Sequence, residues 1–92
     1  MKTFSLKISS PEGDLLSAEV VKLSLRGTEG DLAVMAGHIP FVSSIKPCEC
    51  KIEFEDGSIK TGQTDGGLLT VSKDKTVLLS GSFKWNKTNI KQ

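Results

Sequence analysis

Alternation with a period of two is the feature that most limits what this chain can become. Phe4, Leu6 and Ile8 alternate with Ser5, Lys7 and Ser9. Val21, Leu23 and Leu25 alternate with Lys22, Ser24 and Arg26, and Cys50, Ile52 and Phe54 with Lys51, Glu53 and Glu55. Successive side chains of an extended chain point to opposite faces, so each run reads as a strand with one buried side. Shorter apolar runs at Leu32 to Met35, Leu68 to Val71 and Thr76 to Leu79 predict central strands covered on both sides. No i, i+3, i+4, i+7 apolar pattern persists over the ~11 residues of an ordinary helix. The chain is therefore all-β, and roughly eight short strands at about 8–12-residue spacing fit a β-sandwich or small barrel.

Turn chemistry separates these runs. Pro11-Glu12-Gly13-Asp14 divides the first strand from the second, and Ser72-Lys73-Asp74-Lys75 divides Thr70-Val71 from Thr76-Val77. Asp56-Gly57 is the strongest such signal and predicts a two-residue type I′ hairpin. Pairing outward from it sets Glu55 opposite Ser58, Phe54 opposite Ile59 and Glu53 opposite Lys60. In that register the apolar pair shares one face and the opposite charges share the other.

Composition bounds the function. At 92 residues the chain has room for one domain. Twelve Lys plus Arg against 11 Asp plus Glu leave a net charge of +1, too little for a nucleic-acid binder that must meet phosphates with a basic face. The two halves, split at residue 46, are each balanced, and only the last nine residues are lopsided, with Lys84, Lys87 and Lys91 and no acid. The first residues show neither the apolar stretch of a signal peptide nor the arginines of a transit peptide, so a cytosol-like compartment is expected. The longest apolar run, Leu32 to Ala36, is far short of the ~20 residues of a membrane span. In such a compartment the Asn86-Lys87-Thr88 sequon reads as a chance match.

Catalytic constellations are absent from the pattern. There is one histidine, His38, and no tyrosine. A nucleophile needs a base and a group to orient it, and nothing in the spacing joins His38 to Cys48 or Cys50. Cys50 falls on the inward alternation with Ile52 and reads as a small, reduced hydrophobe, with Cys48 on the same face or at its edge. Three Cys and His residues are one short of a closed zinc site. The Gly27-Thr28-Glu29-Gly30-Asp31 stretch lacks the Gly-Lys-Ser/Thr ending of a phosphate loop, and its acids would repel an anion. No catalytic residue, metal or cofactor is expected.

The segment Gly27-Thr28-Glu29-Gly30-Asp31-Leu32-Ala33-Val34-Met35-Ala36-Gly37-His38-Ile39-Pro40-Phe41 resembles the loop–strand–loop signature of the ε subunit of bacterial rotary, F-type ATP synthases. Ser10-Pro11-Glu12-Gly13, Ile45-Lys46-Pro47, Asp65-Gly66-Gly67-Leu68-Leu69-Thr70-Val71 and Val77-Leu78-Leu79 extend the resemblance, in family order and spacing, over roughly residues 3 to 80. The departures are Ala33 where the family favours Gly, Ala36 for Pro, Cys48 for Gly, Asp65 for Ser, and Ser80 to Trp85 in place of Ala-Asp-Thr-Ala-Glu.

The resemblance implies a β-sandwich of two antiparallel sheets, about ten short strands in all, over residues 1–82. Residues 83–92 would form a short basic tail where the family's C-terminal helical hairpin begins. It implies a noncatalytic central-stalk (rotor) subunit that couples the γ subunit to the c-ring during ion-driven ATP synthesis. The assembly would be a hetero-oligomer held peripherally on the cytoplasmic face of the bacterial membrane, without insertion into the bilayer. Without the hairpin, inhibition of ATP hydrolysis is not expected. Carried over residue by residue, Glu29, Gly30 and Asp31 match the loop that meets the c-ring, while His38, Ser43 and Asp65 match positions near γ. From a different class, the alternative is a free-standing β-sandwich ligand- or carbohydrate-binding module, and aromatic poverty disfavours a sugar platform, since Trp85 is the only tryptophan and there is no tyrosine.

Overall fold

A computed structural model of the chain describes residues 2–27, 30–37 and 39–86. Ten strands follow one another: β1 Phe4–Ser10, β2 Gly13–Val20, β3 Lys22–Gly27, β4 Gly30–Met35, β5 Phe41–Ile45, β6 Cys48–Glu53, β7 Ile59–Thr64, β8 Gly67–Val71, β9 Lys75–Ser80 and β10 Phe83–Trp85. Hydrogen bonds link them in the order β10-β7-β6-β3-β5-β8-β9-β1-β2, with β4 on β3 off this path. A single pair, Gly27 with Ile45, joins β3 to β5. The path therefore divides there into two five-stranded layers, β4-β3-β6-β7-β10 and β5-β8-β9-β1-β2, and the chain is the all-β sandwich expected from its alternation. The pairings are antiparallel except β1 with β9, which run parallel.

The inward positions of the two layers make one core. Leu6, Ile8, Leu23, Ile52, Leu69 and Leu78 are wholly buried, with Val20, Val34 and Cys50 among them. Burying each large aliphatic side chain stabilises the fold by about 1.5–3 kcal/mol relative to leaving it in water. Close backbone approach tightens the second layer. A Cβ at Gly67 would collide with the Leu79 carbonyl oxygen, so glycine is what lets β8 lie against the end of β9.

Three features differ from the sequence expectation. The β6–β7 hairpin is not a two-residue turn. Gly57 N–H donates to the Phe54 carbonyl at 3.0 Å, Phe54 N–H donates to Ser58 at 2.9 Å, and Gly57 has φ 92°. This is a three-residue loop with glycine in the left-handed bulge position. Asp56 Oδ1 accepts both the Ser58 N–H at 2.8 Å and its hydroxyl at 2.6 Å, which holds the longer loop. The register slips by one, so Glu53 faces Ile59 and Ile52 faces Lys60.

Second, the apolar runs are not covered on both sides. β4 pairs only with β3 and is an edge, while Leu68 of β8 and Leu79 of β9 are 40% and 50% exposed. Third, the sheet runs past residue 82, because Phe83–Trp85 pairs with β7 through Phe83–Thr64 and Trp85–Gly62. Phe83 is core rather than tail: its ring fills the space left by Gly62, where a Cβ would sit 2.5 Å from it.

Candidate functional site

Of the six residues singled out from the sequence, Glu29 and His38 lie outside the described residues. The other four fall at two places. Gly30 and Asp31 open β4, directly after the β3–β4 turn, where Gly27 pairs with Gly30 and Arg26 with Asp31. Gly30 has φ 128°, a region that disfavours side chains, which explains why glycine closes this turn. Gly27 is packed: a Cβ there would meet Leu32 Cδ1 at 3.0 Å and Ser43 Oγ at 3.3 Å. Ser43, half-buried on β5, therefore sits beside the turn, and its hydroxyl donates to the Ser44 carbonyl at 3.2 Å. Gly30, Asp31, Leu32, Phe41, Val42 and Ser43 line one groove of about 500 Å³ between the edges of β4 and β5. The structure thus brings Asp31 and Ser43 together, although the sequence reading assigned them to different partners.

Asp65 stands at a second place, on the β7–β8 connection. Its Oδ1 accepts the Ser82 N–H at 2.9 Å, and its own N–H donates to the Ser82 carbonyl at 3.0 Å. The carboxylate ties the β9–β10 turn to the β7–β8 turn while remaining exposed. Behind it the buried hydroxyls of Thr64 and Ser80 share a 2.5 Å hydrogen bond, and Ser80 donates on to the Ser82 carbonyl at 2.7 Å. These bonds close the corner and leave the Asp65 carboxylate at its surface.

The outer faces of the two layers carry different surfaces. On the β5-β8-β9 side, Val42, Leu68 and Leu79 are exposed. Leu68 lies directly opposite Leu79, and Val42, opposite Thr70, is its diagonal neighbour across β5–β8. The patch continues past Leu79 into a shallow groove lined by Ser9, Ser10, Pro11, Ser80 and Gly81. The opposite outer face is charged. There Lys22 faces Glu53, Ser24 faces Lys51, and Arg26 faces Asp31 with Nε to Oδ1 at 2.8 Å. Val42 was missed from sequence because its short strand falls in none of the runs singled out, and Leu68 and Leu79 because they sit in runs read as doubly buried. The signal was there: a sandwich strand should alternate, and these do not.

Neither cysteine is an exposed nucleophile. Cys50 is wholly buried, and that burial, with Cys48 beside it, pushes its thiol up to about 12. Cys48 serves the backbone. Its Sγ accepts the Arg26 N–H at 3.3 Å and donates to the Arg26 carbonyl at 3.8 Å, where β3 leaves β6 for β5. Trp85 offers no open platform: Lys60 Nζ lies 4.3 Å over its ring and Phe83 meets it edge-on at 5.0 Å. Among the described residues no cluster of three or more His, Cys, Asp or Glu could hold a metal, and no helix is long and apolar enough to cross a membrane.

Comparison with known proteins gives these surfaces a setting. Residues 3–86 match the family described as ATP synthase, Delta/Epsilon chain, beta-sandwich domain. The chain is 32% identical over 84 residues to the sodium-ion-specific ATP synthase epsilon chain of Acetobacterium woodii, covering 91% of this chain and 63% of that one. It is also 32% identical over 87 residues to the epsilon chain of Ruminococcus albus, covering 94% and 64%. The chain thus spans a little under two thirds of the length of these curated relatives. Its fold is shared with a chain of the Euglena gracilis mitochondrial ATP synthase OSCP/F1/c-ring structure (TM-score 0.85, 21% identity, 90% of this chain and 53% of that one). A chain of the Tetrahymena thermophila mitochondrial ATP synthase central stalk/c-ring structure gives a TM-score of 0.77 at 15% identity, covering 89% and 66%.

Proposed function

Because the chain belongs to the ATP synthase delta/epsilon-chain β-sandwich family, we propose that it is a noncatalytic rotor subunit that couples a γ subunit to a c-ring. The match over residues 3–86 carries this reading, supported by the epsilon-chain names of its relatives. The mechanism is mechanical. Two layers sharing one close-packed core make a stiff body that passes torque between partners without unfolding. Coupling needs two contact surfaces on that body. The apolar patch of Val42, Leu68 and Leu79 suits a lasting contact with γ, to which we also assign Ser43 on the neighbouring edge of β5. The exposed Asp31 at the β3–β4 turn suits a rim contact with a basic c-ring loop, contributing about 0–1 kcal/mol on its own. His38 and Asp65 complete the proposed γ side, and Glu29 with Gly30 the ring side. The subunit would sit peripherally at the cytoplasmic face of the membrane and bind no nucleic acid.

Size-exclusion chromatography of the chain mixed with γ from the same organism tests this. Co-elution at one to one is expected, and separate elution would contradict the γ assignment. Asp31→Lys should weaken docking on an isolated c-ring while sparing γ, and unchanged ring docking would remove Asp31 from the contact set.

A further inference from the structure

The acid offered to the ring is already engaged. Arg26 and Asp31 are cross-strand neighbours, one pair in from the Gly27–Gly30 closure, and their 2.8 Å contact is made with both side chains largely in water. The backbone leaves Arg26 little choice of position. Cys48 holds its N–H and carbonyl, Lys46 N–H donates to the same carbonyl at 3.4 Å, and Gly27 beside it is packed against Leu32 and Ser43. With the backbone fixed, the guanidinium projects from the charged outer face and meets Asp31. Asp31 lies on one side, on β4. On the other side, the β3–β6 register ends at Ser24–Lys51, and Glu49 stands two residues before Lys51 on β6. Arg26, Asp31, Glu49 and Lys51 line a single groove of about 610 Å³. Glu49 Oε2 accepts a 3.0 Å hydrogen bond from Asn86 Nδ2, which also bonds Thr61 on β7, so a cation in the groove draws on the other carboxylate oxygen.

We propose that Arg26 is an internal competitor for Asp31, so that docking on a basic loop proceeds by ion-pair exchange: the partner's cation takes Asp31 and Arg26 turns to Glu49. This rests on the reading of Asp31 as the ring-facing acid and adds a specificity determinant to it. An exposed pair is weak enough to be opened by a partner, and the charge on Arg26 repels the incoming base until it moves. Glu49 offsets that repulsion by giving the guanidinium a second acid within the same groove. The exchange sets a threshold: a loop with one weakly placed base cannot displace Arg26, whereas a ring presenting several can.

The test is a set of binding titrations on a detergent-solubilised c-ring with the chain and its R26Q, D31N, E49Q and R26Q/E49Q variants. Glutamine at 49 keeps an acceptor for Asn86, so only the charge is lost. D31N should weaken docking, R26Q should tighten it about two- to fivefold, and E49Q should weaken it about twofold. In the R26Q background E49Q should have no effect, because its role acts through Arg26. Tightening by R26Q with that non-additivity supports the exchange. Weakening or no change with R26Q, in a variant whose amide spectrum remains native, overturns it while leaving Asp31 as a contact. If D31N docks like the parent, the ring assignment of Asp31 fails, and the exchange with it.

Discussion

The two outer faces of the sandwich are made by the same pleat and cover the same core, yet they differ in kind. On the β4-β3-β6-β7 face, outward charges are paired, as Lys22 with Glu53 and Arg26 with Asp31 show, and the exposed apolar Met35 and Ile59 stand apart, each beside a charged residue. On the β5-β8-β9 face, outward positions include Val42, Leu68 and Leu79, with no charged residue in β5 or β8. Folding alone does not require this, since either face could be solvated by polar side chains at no loss to the core. The difference teaches that one face is suited to lasting burial against another protein and the other to water and exchangeable ion pairs.

The sharpest way to break the comparison is to test neighbours on one strand that point opposite ways. Leu69 is wholly buried and Leu68 is not. Leu69→Ala should cost about 3–4 kcal/mol of stability in urea unfolding, whereas Leu68→Thr should stay within about 0.5 kcal/mol. A large loss for Leu68→Thr would mean the patch belongs to the fold rather than to a partner. Next in size, Gly67→Ala should destabilise by about 3 kcal/mol, because the added methyl meets the Leu79 carbonyl and parts β8 from β9 beneath the patch.

Cys50, on the core side of the charged layer, sharpens the contrast through pH. Its thiol ordinarily titrates near 9.0 and is raised to about 12 in the fold. Between those values the unfolded chain releases a proton that the native chain keeps, so stability should fall as pH rises, by about 1.4 kcal/mol per unit. The C50V variant should lack that slope in unfolding curves recorded from pH 9 upward. The smallest effect belongs to Asp14, at the polar end of the second face. Its carboxyl is held below the ordinary range first by the Ser9 hydroxyl at 2.7 Å and then by Lys7 at 3.5 Å. The lowered value makes its contribution present at neutral pH and lost as pH falls through it, so the D14N variant should show a slightly shallower loss of stability in acid.

Much of this architecture was legible in the residues. The alternation of Phe4, Leu6 and Ile8, or of Leu23 and Leu25, set strands and inward faces together, because period two has only one structural reading. The Asp56-Gly57 hairpin was located but misregistered. A two-residue turn satisfies side-chain pairing, whereas the structure lets Asp56 cap Ser58 and Gly57 form a bulge, which sends Ile59 outward and Lys60 over Trp85. The apolar patch was hidden for a different reason: a run such as Leu68-Leu69 is equally compatible with two buried faces or with one buried and one reserved for a partner. The Arg26–Asp31 pair and the Cys48 bond to Arg26 depend on register across strands and on where β3 changes neighbours, which no local pattern encodes.

The division between the two faces is tested most directly by titrating γ from the same organism, in a calorimeter, with the Leu68→Glu and Lys51→Glu variants side by side. Leu68→Glu is expected to lose binding by about 30-fold or more, as removal of a central anchor does, while Lys51→Glu stays within about twofold of the parent. The reverse order, or equal losses from the two variants, would contradict it.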